Sequence, residues 1–292
     1  MNLEYKNLLN DYVSYIEKYM EEHCFIHDSE PQQTLFSSMR YSLLAGGKRL
    51  RPVLVFDFCR MCGADWKKAV PFAAAVEMVH TYSLIHDDLP CMDDDDLRRG
   101  NPTNHKVYGE AIAVLAGDAL LTAAFNLIAK ADYPADVRIK AVEVLSECSG
   151  ELGMVGGQVL DIQSEERVCT SQEVIDIQSR KTGALIRAAC ILGVLAGNGS
   201  KEQIAAAVKF ATHVGLAFQI RDDILDQIGD SAELGKKTGG DANKNTFVNL
   251  YGLHTCKEMV HDHTKIAISS LHSFKENDFI KSLALNMVER TK

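Results

Sequence analysis

Apolar residues recur at helical spacing along almost the whole chain. Leu8, Leu9, Tyr12, Val13, Ile16, Tyr19 and Met20 share one helical face, which predicts an amphipathic helix at the start. After a loop around residues 28–31, a second helix runs through Tyr41 to Ala45. Gly46-Gly47 breaks it, and Arg51-Pro52 opens the next, since proline suits a first helical turn. Leu54 to Cys62 continues that helix, and Gly63-Ala64-Asp65 is a turn. From about Ala69 to Asp88 the pattern is apolar on nearly every side, the mark of a central, buried helix. Residues 99–104 read as a loop. Helices over 111–131, 136–160, 172–193, 201–228 and beyond Thr246 complete the chain. No alternating strand pattern stands out, and no stretch rich in Pro, Gly and Ser divides the chain. The expectation is one all-α domain over residues 1–292.

Composition narrows the function. With 46% hydrophobic and 24% charged residues the chain is of ordinary globular type. A net charge of −9 argues against nucleic acid, which calls for a basic face. The first residues lack the basic start and apolar run of a secretory signal, and no uninterrupted apolar stretch suggests a membrane span. Eight scattered cysteines, Cys59 and Cys62 forming a lone Cys-x-x-Cys, read as reduced core thiols of a cytoplasmic protein.

Two aspartate clusters interrupt this bland picture. One is Asp87-Asp88-Leu89-Pro90-Cys91-Met92-Asp93-Asp94-Asp95-Asp96; the other is Asp222-Asp223-Ile224-Leu225-Asp226. Crowded carboxylates raise one another's pKa, so they need a cation to stay ionised together. Hard oxygen ligands in this number point to Mg²⁺, which takes a few carboxylates plus substrate phosphate oxygens. Asp222 and Asp226 stack on one helical face with Asp223 alongside, while Pro90 forces the chain out of helix before Asp93. Asp94 to Asp96 are equally well a solvated loop.

Cations accompany the acids. Gly46-Gly47-Lys48-Arg49-Leu50-Arg51-Pro52 places three at a helix start, where exposed N–H groups favour an anion. Arg98-Arg99 directly follow an aspartate run and can clamp a diphosphate bidentately. His80, Ser83 and Asp87 share a helical stripe, which points His80 to a diphosphate hydrogen bond. His86 reads as structural, and His261 and His263, flanking Asp262, read as surface residues. Lys181-Thr182, Gln219 and Lys236-Lys237 are weak signals taken singly. Gly153, Gly156 and Gly157 weaken their helix by roughly 1 kcal/mol each, which marks close packing or room for a ligand. Gln158 and Asp161 lie on one face of that helix.

Taken together, residues 46–52, His80 to Pro90, Asp93 to Gly100, Gly156-Gly157-Gln158, Lys181-Thr182 and Phe218-Gln219 to Asp226 resemble the trans-prenyltransferases. Within them the bacterial farnesyl diphosphate synthase (geranyltranstransferase) group is the nearest match. The resemblance runs from about residue 35 to 250, in the family's order; beyond His254 only Arg290 and Lys292 suggest the family's basic tail. It implies a single-domain isoprenoid-synthase-type helical bundle around a deep central cavity, assembled as a homodimer. It also implies a head-to-tail condensation of isopentenyl diphosphate with dimethylallyl and then geranyl diphosphate, giving farnesyl diphosphate. By the same resemblance, three Mg²⁺ ions would be held by Asp87, Asp93 and Asp222, with Asp88, Asp223 and Asp226 in support. Arg98, Lys181 and Lys236 would neutralise the allylic diphosphate, with Thr182 and Gln219 bonding nearby. Lys48, Arg51, His80 and Arg99 would hold isopentenyl diphosphate. Tyr82 lies five residues before Asp87, about 7.5 Å along a helix; with Ser83 it would floor the pocket for the growing chain. A geranylgeranyl diphosphate synthase would differ in product length alone. A terpene cyclase would not need the second cation set, and a non-catalytic regulatory subunit would have lost carboxylates that are intact here.

Overall fold

The Asn2 side chain accepts a hydrogen bond from the Tyr5 amide at 2.9 Å and so starts the first helix, α1 (Leu3–His23). The structure, a computed structural model, describes residues 2–27, 29–165, 167–232 and 245–289. By packing the chain forms two compact units. One comprises Asn2–Glu143 with Leu195–Asn198; the other comprises Val144–Val194 with Gly199–Lys292.

In the first unit, α1 is followed by α2 (Gln33–Leu43), α3 (Leu50–Met61), a 3₁₀ turn (Trp66–Ala69) and α4 (Val70–Asp87). Two short strands, β1 (Leu97–Arg98) and β2 (Asn101–Pro102), then precede α5 (Asn104–Tyr108), α6 (Glu110–Lys130) and α7 (Ala135–Ser149), whose last turns pass into the second unit. α4 is central, as its apolar pattern requires: Phe72 to Val79 are all buried, Glu77 included. Tyr12 and Phe56 each meet Trp66 edge to face and lie tilted against one another, fastening α1 to α3, with Tyr12–Trp66 ring centroids 4.7 Å apart. Burial pushes the Cys59 thiol up to about 12 and that of Cys62 up to about 11, so this pair carries no thiolate at neutral pH.

α6 packs along α4 yet leaves much of its own apolar surface uncovered, with Val114 39% and Leu115 53% exposed. By length and composition it could cross a membrane, a property the sequence pattern did not suggest. Asp118 at mid-helix and the packing on α4 suit a helix of a globular core equally well.

The second unit holds α8 (Met154–Ser164), α9 (Ser171–Gln178), a π-turn (Ser179–Gly183), α10 (Ala184–Ala196), α11 (Lys201–Ala232), α12 (Phe247–Ser270) and α13 (Asp278–Glu289). Three expectations change here and in the first unit. The helix read over 136–160 is broken at 150–153, where Gly153 leaves helical geometry with ψ −128. The helix read over 172–193 contains a π-turn, and the loop read over 99–104 holds part of a hairpin.

α9 begins with a capping box, Thr170 bonding the Glu173 amide while Glu173 accepts from the Thr170 amide at 2.8 Å. α11 and α12 lie side by side over a core of Ala217, Ile220, Ile224, Phe247 and Cys256. Between them His263, expected on the surface, meets His213: the two Nδ1 atoms are 2.8 Å apart and the rings stack. One Nδ1 must donate and the other accept, so the contact needs at least one neutral ring. Burial lowers both pKa values; His263 and Lys209 lower His213 further, whereas Asp262 opposes the shift at His263. Stability from this pair is present above about pH 6.5 and is lost as the pH falls through the depressed folded-state values. Lowering the pH from 7.5 to 5.5 should therefore reduce Tm in wild type by roughly 2–4 °C more than in His263→Phe. Equal pH responses in the two proteins would show that the pair contributes nothing.

Candidate diphosphate site

Gly46 and Gly47 both take positive φ, +78° and +125°, and turn the chain from α2 into α3. Arg49 follows in left-handed geometry and points inward. Its guanidinium donates to Glu77 at 2.8 Å and to the Leu43 carbonyl at 2.9 Å, with Arg49 and Glu77 only 1% and 2% exposed. Glu17 stands 3.5 Å away. Of the three cations read at this helix start, Arg49 is thus a core residue, whereas Lys48 is exposed and Arg51 half-buried.

Arg51 is the unusual group. Burial lowers its pKa to about 10, and Arg99 lowers it further against the pull of Glu77. Its Nε is buried without a hydrogen-bond partner. His80 is held well below the ordinary histidine value, by burial first and then by Arg51, Arg99, Arg49 and Arg98. Arg99 is likewise lowered, by burial and by Arg49 and Arg98. Burial is the main cause at all three, and the repulsion among the cations is only partly offset by Glu77, which pulls the Arg51 and Arg99 values back up. Arg51, His80 and Arg99, which the resemblance assigns to one diphosphate, lie close enough to act on one another electrostatically.

The hairpin aims the two neighbouring arginines. β1 and β2 pair through Leu97–Pro102 and Arg98–Asn101, with Arg99 and Gly100 at the turn, both at positive φ as a type I′ turn demands. Arg98 bonds the buried Asp88 through Nε at 2.9 Å and through a second nitrogen, and reaches Asp95 at 3.1 Å. Arg99 instead donates to the Gly46 carbonyl. A Cβ on Gly47 would lie 2.6 Å from the Arg99 guanidinium, so only glycine leaves that side chain its place. Asn104, buried and not anticipated from sequence, ties the hairpin's end to α2 through Ser38 and Ser42 at 2.8–3.0 Å. An Asn after Pro-Thr carries no signal of its own, because its partners are more than 60 residues away in the chain.

The first aspartates divide by environment. The Asp93 amide donates to the Asp87 carbonyl at 2.8 Å, which folds the loop back over the end of α4. Asp87 is half-buried and Asp93 exposed, while Asp88 is committed to Arg98; burial raises the Asp88 pKa although Arg98 opposes this. Asp96 pairs with Lys106 at 2.7 Å in solvent. Asp88 therefore positions an arginine through one of its two carboxylate oxygens.

In the second unit, Gly157 lets α8 touch the π-turn: a Cβ there would be 2.7 Å from Lys181 Cα. Close packing accounts for this glycine. The π-turn carries Lys181 and Thr182, and such turns widen a helix locally, commonly at functional sites. Lys181 pairs with Asp161 at 2.6 Å, and the Gln219 amide donates to Gln178 at 2.7 Å. Asp161 and Gln178 are partners that the sequence reading did not assign. On α11, Asp222 is half-buried and Asp226 exposed. Asp223 accepts the Phe247 amide at 2.7 Å and so holds the start of α12; burial pushes its pKa up to about 6. Lys236 and Lys237, and Arg290 and Lys292, lie outside the described residues.

Among the described residues no three acidic, cysteine or histidine side chains gather closely enough to hold a metal. The donor chemistry nonetheless suits Mg²⁺, an ion that retains water and takes few carboxylates.

The model of the polyprenyl synthetase family matches residues 32–284. A farnesyl diphosphate synthase of Bacillus subtilis (strain 168) is 48% identical over 239 residues, covering 80% of this chain and 81% of that protein. That of Micrococcus luteus is 43% identical over 100% of this chain and 98% of its own. The large subunit 1 of a chloroplastic heterodimeric geranylgeranyl pyrophosphate synthase from Arabidopsis thaliana is 47% identical over 86% of this chain and 70% of that protein. Among solved structures, an apo FPP/GFPP synthase from Zymomonas mobilis superposes with a TM-score of 0.88 at 35% identity, covering 99% of this chain and 100% of the other. The fold is the all-α isoprenoid synthase fold. With the family model spanning most of its length, the chain belongs to the polyprenyl synthetase family.

Proposed function

We propose that this protein is a Mg²⁺-dependent trans-prenyltransferase that condenses isopentenyl diphosphate with dimethylallyl and then geranyl diphosphate, giving farnesyl diphosphate and releasing diphosphate. The observation that carries this reading is the gathering of Arg51, His80 and Arg99, each lowered in pKa first by burial, with the buried Arg51 Nε unpartnered. Isopentenyl diphosphate supplies the missing charge, with Lys48 joining from the loop. A neutral His80 serves as a hydrogen-bond donor to it without adding to the repulsion.

Arg98, held by Asp88, and Lys181, held by Asp161, are the cations that the resemblance assigns to the leaving diphosphate. Asp87, Asp93, Asp222 and Asp226 are the carboxylates that would hold Mg²⁺, which would stabilise the departing diphosphate charge. Thr182 and Gln219 present oxygen dipoles to the allylic cation left when the C–O bond breaks. The isopentenyl double bond attacks that cation, and a proton then leaves for the released diphosphate. No side-chain nucleophile takes part; the residues supply position and field.

Val114 and Leu115 on the uncovered side of α6 support a homodimer, which light scattering would register as twice the chain's mass. Eight unpaired cysteines, seven of them at least half-buried, suit the reducing cytoplasm in which the enzyme would work.

The test is a chromatographic assay with labelled isopentenyl diphosphate and geranyl diphosphate, with Mg²⁺ and with chelator. A fifteen-carbon product that chelator abolishes is expected. A twenty-carbon product, in keeping with the 47% identity to a geranylgeranyl-forming relative, would keep the reaction and change the chain length. Folded protein that elongates nothing would overturn the reading.

A further inference from the structure

Tyr82 and His86 are one helical turn apart on the side of α4 that faces α6. Tyr82 is buried, 6% exposed, and its ring meets the His86 imidazole edge to face, with centroids 5.7 Å apart and planes at 83°. His86 in turn reaches α6, its Nε2 lying 3.1 Å from the Val114 carbonyl. A carbonyl can only accept, so Nε2 carries the proton and donates it. Gly117, one turn further along α6, completes the seat: a Cβ there would fall 2.5 Å from His86 Cδ2 and nearer still to Nε2.

The imidazole is therefore gripped by a carbonyl and seated over a glycine, and its ring supports the phenol of Tyr82. We infer that His86, seated in the Val114–Gly117 notch of α6, is a positioning residue that holds the Tyr82 ring in place and so sets the length at which chain growth stops. This rests on the prenyl-transfer reading, in which Tyr82 floors the pocket. The physical reason is rotameric. A buried aromatic ring with one side open can swing into the space beside it, whereas one braced by a pinned ring cannot move without breaking a hydrogen bond. Removing the brace lets Tyr82 retreat toward α6 and deepens the floor.

The experiment is a double-mutant cycle read by product length. Labelled isopentenyl diphosphate and geranyl diphosphate are supplied to wild type, His86→Ala, Tyr82→Ala and the double variant, and the ratio of twenty- to fifteen-carbon product is measured. His86→Ala should raise that ratio roughly tenfold, the scale of one lost ring contact plus one hydrogen bond. Tyr82→Ala should raise it further, and His86→Ala should add nothing in the Tyr82→Ala background, because its effect passes through that ring. Gly117→Ala, which unseats the imidazole, should shift the product in the same direction. His86→Gln keeps a donor for Val114 but loses the ring edge; it should give a smaller shift and carries the test if His86→Ala does not fold.

An unchanged ratio in folded His86 variants, or an equal shift with and without Tyr82, would overturn the inference while leaving the proposed reaction intact. Wild type that elongates nothing would overturn both.

Discussion

Glu77→Ala should destabilise the protein by about 3–5 kcal/mol, the usual consequence of removing one member of a buried ion pair. Arg49 would be left charged, 1% exposed and without its 2.8 Å carboxylate, and Glu17 at 3.5 Å is too far and too solvated to replace it. Arg51 and Arg99 also lose the negative group that partly offsets their own depression. Thermal or urea denaturation would measure the loss. A change below about 1 kcal/mol would mean that water reaches Arg49 and the pair is not sealed. The matched apolar replacement, Arg49→Met with Glu77→Leu, should recover most of the stability, since desolvation of both charges is avoided.

Arg51→Gln should act in the opposite sense on stability. Arg51 is half-buried near Arg99, with its Nε sealed from water and without a partner, so the folded protein gains by losing that charge, and Tm should rise by roughly 1–2 °C. Binding should suffer: loss of a charge-assisted contact of about 2–3 kcal/mol raises the KM for isopentenyl diphosphate roughly 30–150-fold. The KM for the allylic substrate should change far less. Steady-state kinetics with each substrate varied in turn would separate the two, and a rise confined to the allylic KM would move Arg51 to the other site. A strained group whose removal steadies the fold while weakening function is the expected signature of a binding residue.

Much of this was legible in the sequence. The helices follow from apolar periodicity because each buries one face, and α4 announced itself because it buries nearly all of its surface. The aspartate and arginine clusters were legible because like charges at that density have few structural explanations. Direction was harder to read. Arg49 and Arg51 are two residues apart, and Glu77, far along the chain, with the Leu43 carbonyl draws one of them into the core. Asp88 and Asp223 look like their neighbours in sequence, yet each is taken up by a partner 10 or 24 residues further on. The π-turn has no local signature, since it arises where α8 presses Gly157 against residues 180–181. Strands of two residues are too short to show alternation, and an Arg-Gly turn lacks the Asn-Gly pattern that marks most such hairpins. His263 was misjudged because its partner, His213, lies on another helix 50 residues away.

The Arg99-Gly100 turn has a consequence for substrate alignment. Arg98 leans toward Asp88 and Arg99 toward the Gly46 carbonyl, so adjacent residues face two different regions of the first unit. If each receives one diphosphate, the offset between the two substrates is set by two side chains that diverge from a single peptide link, with Cα atoms about 3.8 Å apart, each held by its own partner. Inserting one residue between Arg98 and Arg99 would put both substrates out of step while leaving every phosphate contact available.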